Sequence, residues 1–235
     1  MNDFSTSDSG AGAVPNEPRA AVFDVDGTLA DTNYLHTVAW WEALHQAGHQ
    51  VPMWQIHRSI GMDSAHLLER LLGRDRRTEQ DAAISAAHAT LYGTWRERLP
   101  ALDGARELLR TVAGRGWRVV LATSARGSEL TALREAIDAD DAILGATTSD
   151  DVDQGKPAPD VVESALRQAE VPPERAVFIG DTVWDIQAAS RVGVPCIALL
   201  SGGISRGELI DAGAAAVYEN AAALRSALDS SPLAD

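Results

Sequence analysis

Residues 20–32 read AAVFDVDGTLADT. An apolar run ends in two aspartates, Asp24 and Asp26, with Gly27 directly after them. Like charges this close repel, and in a buried place one of them is driven neutral. A strand that runs into an Asp-Gly turn accounts for the residue types. A cation or a phosphate at the strand end accounts for the charge as well. The choice between these readings depends on what the other strand ends carry.

Similar apolar runs recur along the chain. AAVFDV (20–25), WRVVLAT (117–123), AVFIG (176–180) and VPCIALL (194–200) are strong, and AILGAT (142–147) and AAAVY (214–218) are weaker. They lack polar alternation, as strands covered on both faces do. Helical patterns lie between them, such as GARELLRTVAGRG (104–116) and APDVVESALRQAE (158–170), the latter opened by Pro157 and Pro159. The alternation predicts an α/β fold with a doubly wound parallel sheet. In such sheets ligands bind beyond the carboxyl ends of the strands.

Between the first and second strong strands, residues 33–100 give helical patterns and no strand signal. That is too long for one crossover helix. The expected organisation is a catalytic core of residues 19–32 and 101–235, with an inserted α-helical subdomain over 33–100. Gly27 with the following DTN, and PALDGA (100–105), are the expected crossings. The four tryptophans Trp40, Trp41, Trp54 and Trp95 are expected in the core of the insert. Residues 1–18 read as a disordered tail with neither the basic start nor the apolar run of a signal peptide.

The chain has 235 residues, 45% of them hydrophobic, and a formal net charge of -14. Such an acidic surface disfavours nucleic acid and anionic membranes as partners. No segment has the apolar length of a membrane span. The single cysteine, Cys196, sits in an apolar run, rules out an intramolecular disulfide and fits a reducing, cytoplasmic compartment.

Every strong strand before residue 185 delivers a polar group at its carboxyl end. The first gives Asp24 and Asp26, the second Thr123 and Ser124, and the fourth Asp181, with Asp185 close behind. Lys156 follows the weak third strand. Phosphoryl transfer through a covalent intermediate needs this assortment. A carboxylate attacks phosphorus. A second carboxyl protonates the leaving oxygen and later deprotonates water. Cations offset the phosphoryl charge, and Mg2+ prefers carboxylate oxygens. Thr28 is expected to hydrogen-bond within the turn.

The four motifs DVDGT, LATS, GKPAPD and GDTVWD, in this order, resemble those of the haloacid dehalogenase superfamily of phosphotransferases over about residues 19–229. The resemblance implies a Rossmann-like core, a helical cap, Mg2+ and an aspartyl-phosphate intermediate. It implies Asp24 as nucleophile, Asp26 as general acid/base, and Thr123 and Lys156 as phosphate binders. Asp24, Asp181 and the backbone carbonyl of Asp26 would hold the metal, with Asp185 in support. Asp26 disfavours the dehalogenases and the phosphonoacetaldehyde hydrolases of the superfamily, which lack that aspartate.

In the insert, DTNYLHTVAW is similar to the matching stretch of β-phosphoglucomutases, where a histidine approaches the acid/base; this points to His36. Arg58 and Gly61, in RSIGMDS, fall where the family's cap loop meets substrate, and Ser124 joins them as a substrate-binding candidate. The expected activity is a Mg2+-dependent phosphatase, monomer or homodimer, acting on a small phosphorylated metabolite of the phosphoglycolate or sugar phosphate class. One alternative is a phosphomutase, against which the spaced acids of GDTVWD and Ile60 before Gly61 both count. Another is a catalytically idle binding protein on the same fold.

Overall fold

The computed structural model describes residues 17–234. Six strands form one sheet: β1 (Arg19–Phe23), β2 (Trp117–Ala122), β3 (Gly145–Thr147), β4 (Ala176–Gly180), β5 (Cys196–Leu199) and β6 (Ala216–Tyr218). All neighbours pair in parallel, in the order β3-β2-β1-β4-β5-β6. The order reverses beside β1, and that switch point opens a crevice between the β1 and β4 ends.

The helices of the insert are α1 (Asn33–Gln46), α2 (Met53–His57), α3 (Ser64–Leu72) and α4 (Asp81–Tyr92). Those of the core are α5 (Ala105–Gly114), α6 (Gly127–Ile137), α7 (Asp160–Ala169), α8 (Val183–Arg191), α9 (Arg206–Asp211) and α10 (Ala221–Ser226). None of the helices among the described residues is long and apolar enough to cross a membrane. The expected disordered tail lies outside the described residues, except for Glu17 and Pro18.

The missing alternation in the strands has a direct cause. Ala21 and Phe23 of β1 pack under α5, α6 and α10 through Leu109, Leu133 and Leu224. Ala20 and Val22 pack on the other face under α7, α8 and α9 through Val162, Ala189 and Leu209. Both faces are dry, so both parities must be apolar. Truncating a fully buried aromatic such as Phe178 to alanine costs about 3–5 kcal/mol in such a core. The insert has its own cluster, from Trp40, Leu44, Ile56, Leu67, Leu68 and Ile84. Its two connections run side by side: Ala30 bridges Ala101 in antiparallel fashion, and Asp31 N donates to Pro100 O at 3.0 Å.

Several local expectations need correction. The stretch 142–147 is strand only from Gly145, because Asp140–Ala142 closes as a 3-10 turn after α6. The helical pattern expected over 33–100 breaks at Gly93, after α4, and Gly93–Arg98 is 3-10. Trp54 is 66% exposed rather than in the insert's core. Trp95 packs against the main core instead, its ring edge meeting Tyr92.

Candidate active site

Parallel register sets the site. Phe23 stands level with Leu121 of β2 and Ile179 of β4. Asp24, one residue beyond Phe23, and Thr123 and Asp181, each two beyond the residue level with Phe23, therefore emerge together at the carboxyl edge. Asp24 N still donates to Ile179 O at 2.8 Å, so this aspartate is held by the ladder itself. The chain then folds back, with Gly27 N on Ala30 O at 2.7 Å and Leu29 N on Val25 O at 2.8 Å. Gly27 has φ +79, and a Cβ there would lie 2.5 Å from Asp181 Oδ2. Only glycine permits both the backbone and the close approach.

Three buried carboxylates converge. One oxygen each of Asp24, Asp181 and Asp185 lies within 4.8 Å of the others. Lys156, 5% exposed, donates to Asp24 and, at 2.8 Å, to Asp185 Oδ1. Asp185 Oδ2 accepts from Thr182 Oγ1 at 2.6 Å and Thr182 N at 3.0 Å, closing a capping box at the start of α8. Asp181 accepts from Thr28 Oγ1 at 3.0 Å and Asn33 Nδ2 at 2.8 Å. The Thr28 hydroxyl thus bonds across to the residue after β4, while Thr28 N donates to Val25 O at 3.3 Å within the turn. Burial, with help from Asp185 and Asp26, pushes Asp24 up to about 7 despite Lys156. Burial, then Asp24 and Asp185, lift Asp181 well above the usual carboxylate range. Burial works against the Lys156 charge, but Asp185 and Asp24 outweigh it and hold the ammonium charged.

One ammonium does not balance three acids. The imbalance, and a donor set made only of carboxylate oxygens, fit a hard dication such as Mg2+. Asp24, Asp181 and Asp185 are the residues placed to hold it.

Asp26 turns the other way. Its Oδ1 accepts from Thr32 Oγ1 at 2.6 Å and faces His36 Nε2 at 3.2 Å. Burial raises its carboxyl, but the His36 charge and these hydrogen bonds win and hold it below the usual range. Burial likewise disfavours the His36 imidazolium, yet Asp26 beside it lifts its pKa. His36 Nδ1 lies 3.1 Å from His88 Nε2, and its ring stacks on Tyr92 with centroids 3.9 Å apart. His88, stacked on Trp40, is pushed far down by burial and by the His36 charge.

These groups line a cleft of about 440 Å³ between the insert and the sheet edge. Asp24, Asp26, His36, Gly61, Thr123, Ser124 and Lys156 are all on its wall. Thr123 is buried, and its Oγ1 accepts from Ala125 N at 3.0 Å. Gly61 has φ +94, and a Cβ would come 2.9 Å from Thr182 Oγ1. Arg58 is the exception. Its guanidinium is ion-paired with Glu208 of α9, in a separate groove beside Trp184, so it is not on the cleft wall. Sequence reasoning passed over Thr32, Asn33, His88, Glu129 and Thr182. The capping pattern of Thr182 and Asp185 was available; the others meet the site only through tertiary packing.

A family model described as haloacid dehalogenase-like hydrolase matches residues 18–193. The chain belongs to that family. A protein from Pseudomonas syringae described as a hydrolase has a solved structure with TM-score 0.85 and 38% identity. It covers 90% of this chain and 98% of its own. The phosphoglycolate phosphatase of Rhodospirillum rubrum is 29% identical over 221 residues, 88% of this chain and 89% of the relative. CbbY of Cereibacter sphaeroides is 30% identical over 201 residues, 76% and 82% of the two chains. Within the family this chain is a phosphoric monoester hydrolase.

Proposed function

We propose that this enzyme hydrolyses a small phosphorylated metabolite, of the phosphoglycolate or sugar phosphate class, through an aspartyl phosphate on Asp24. Helices α1 to α4 act as the cap over the cleft, within residues 33–100. The observation that carries the reading is the pairing of two differently tuned acids on one turn. Asp24 lies in the carboxylate cluster with Lys156 on its oxygen. Asp26 lies outside that cluster, against Thr32 and His36.

An Asp24 oxygen attacks phosphorus in line, and the bond from phosphorus to the leaving oxygen breaks. Asp26, sharing a proton with His36, protonates that oxygen. Asp26 then takes a proton from water, which attacks phosphorus and releases phosphate and the free Asp24 carboxylate. Lys156 and the Thr123 hydroxyl orient the phosphoryl oxygens, with Ser124 and Gly61 on the same wall. Bound Mg2+ would offset the negative charge of the phosphoryl group. The cleft is complete within one chain, which suits a monomer or a homodimer, and the buried Cys196 suits the cytoplasm.

Asp24→Asn tests the reading. The variant is expected to fold as the parent does by circular dichroism and to lose Mg2+-dependent hydrolysis of p-nitrophenyl phosphate. Full activity in that variant removes Asp24 as nucleophile.

A further inference from the structure

The wall of the cleft beyond the phosphoryl end is short of positive charge. Among the described residues, Lys156 and Arg126 are the only lysine and arginine that line it. Lys156 is engaged by Asp24 and Asp185 at the floor. Arg126 stands at the rim, its side chain 65% exposed, 2.8 Å from Asp150. Glu129, in contrast, comes off the first turn of α6 with its side chain 25% exposed and lines the cleft. The closest cationic atom paired with it is His36 Nε2 at 3.9 Å, and that nitrogen lies nearer to Asp26, at 3.2 Å. Burial raises the Glu129 carboxyl, which His36, Arg96 and Arg126 partly offset from their distance. Across the cleft, Asp63 of the insert is satisfied by His66 and by Gly155 N.

Resting on the phosphatase reading above, we propose that Glu129 selects the leaving group. The cleft takes monoesters of neutral, hydroxyl-bearing alcohols, which narrows the reading above to its sugar phosphate class and sets phosphoglycolate aside, and it rejects esters whose leaving group carries a carboxylate or a second phosphate. A carboxylate is purely an acceptor, so it binds hydroxyl donors and offers nothing to another anion. Like charge in a half-buried site also costs affinity directly, which is how pockets exclude a wrong ligand. The hydroxyls of Ser64 and Ser85, on the opposite wall, extend the same preference.

The experiment compares kcat/KM for glycerol 3-phosphate and 3-phosphoglycerate, which differ by a hydroxymethyl against a carboxylate. Both are assayed with excess Mg2+ at mildly alkaline pH, where carboxylates are ionised. The wild type is expected to favour glycerol 3-phosphate by about tenfold or more. Glu129→Gln is expected to shrink that ratio to within about threefold, chiefly through a lower KM for 3-phosphoglycerate. A folding defect lowers both rates together, so the ratio reads the charge. Preference of the wild type for 3-phosphoglycerate or for a hexose bisphosphate, or an unmoved ratio in Glu129→Gln, overturns the proposal while leaving the phosphatase reading intact. Absence of any Asp24-dependent hydrolysis overturns both.

Discussion

His36 Nε2 lies 3.2 Å from Asp26 Oδ1, while the other ring nitrogen lies 3.1 Å from His88 Nε2. The imidazole therefore has a partner on each side, and Tyr92 stacks flat against it. A ring so confined can hold a proton in one place relative to Asp26. It also explains why the Asp26 carboxyl is held low: the proton of the pair rests on the imidazole.

His36→Asn removes that partner while leaving the Asp24 cluster alone. The expected result is a fall in kcat of about 10- to 100-fold with KM changed by a small factor, read from steady-state kinetics. An unchanged kcat would reduce His36 to packing.

Lys156 holds two of the three clustered acids, and it is buried among them. Removing one partner of a buried ion pair strands the other charge, a loss of about 3–5 kcal/mol. Lys156→Ala should show this in urea unfolding with chelator present, and added Mg2+ should recover part of it. A loss under about 1 kcal/mol, the worth of a surface pair, would mean the cluster is wetter than it looks.

Much of this site was readable because its chemistry sits at strand ends. A parallel sheet with one register converts four places in the sequence into one place in space, as Asp24, Thr123, Lys156 and Asp181 show. The wall of the insert was not readable in that way. Arg58 and Gly61 are three residues apart, yet Gly61 meets the cleft and Arg58 turns to Glu208. Which face of a short helix end meets substrate depends on how the insert packs on the core, and α2 has only five residues to carry a pattern. His88 met no spacing rule either, since its partner His36 lies on another helix, 52 residues away.

The turned-away Arg58 gives a direct check. Its side chain is about one-third exposed in a surface ion pair, a pairing worth roughly 0–1 kcal/mol. Arg58→Ala is expected to leave kcat/KM within about threefold of the parent on any substrate, measured side by side. A drop of about a hundredfold would return Arg58 to the substrate site.

Gly202 backs the clustered acids from behind. A Cβ added there would fall 1.6 Å from Asp181 Oδ2, a contact no flexible end can relieve without moving the carboxylate. Gly202→Ala should raise the Mg2+ concentration needed for half-maximal activity by about 10- to 100-fold, the usual cost of disturbing a ligand's support. Equal Mg2+ dependence in variant and parent would argue that Asp181 is not a ligand.

Metal removal should also change how stability follows pH. Without metal, Asp24 titrates near about 7 rather than 3.8, and Asp181 is raised as well. Between the unfolded and folded values the native state then holds more protons than the unfolded chain. The stability that these two carboxyls contribute to the metal-free protein therefore falls as pH climbs through that window. The raised Lys156 acts only above its ordinary value of 10.5, and the lowered Asp26 only below 3.8. His36, raised beside Asp26, adds a loss on the alkaline side, but it lies outside the carboxylate cluster and should contribute alike with and without metal. Mg2+ binds the ionised carboxylates, so its stabilising effect should grow over the same range in which the metal-free protein weakens. The expected outcome is a rise in Tm on adding excess Mg2+ that is small at about pH 5 and larger at about pH 8, measured against chelator at each pH. A gain that is equal at both would show that Asp24 and Asp181 are already ionised at the lower pH, and would remove the crowding of buried acids as the reason this site wants a dication.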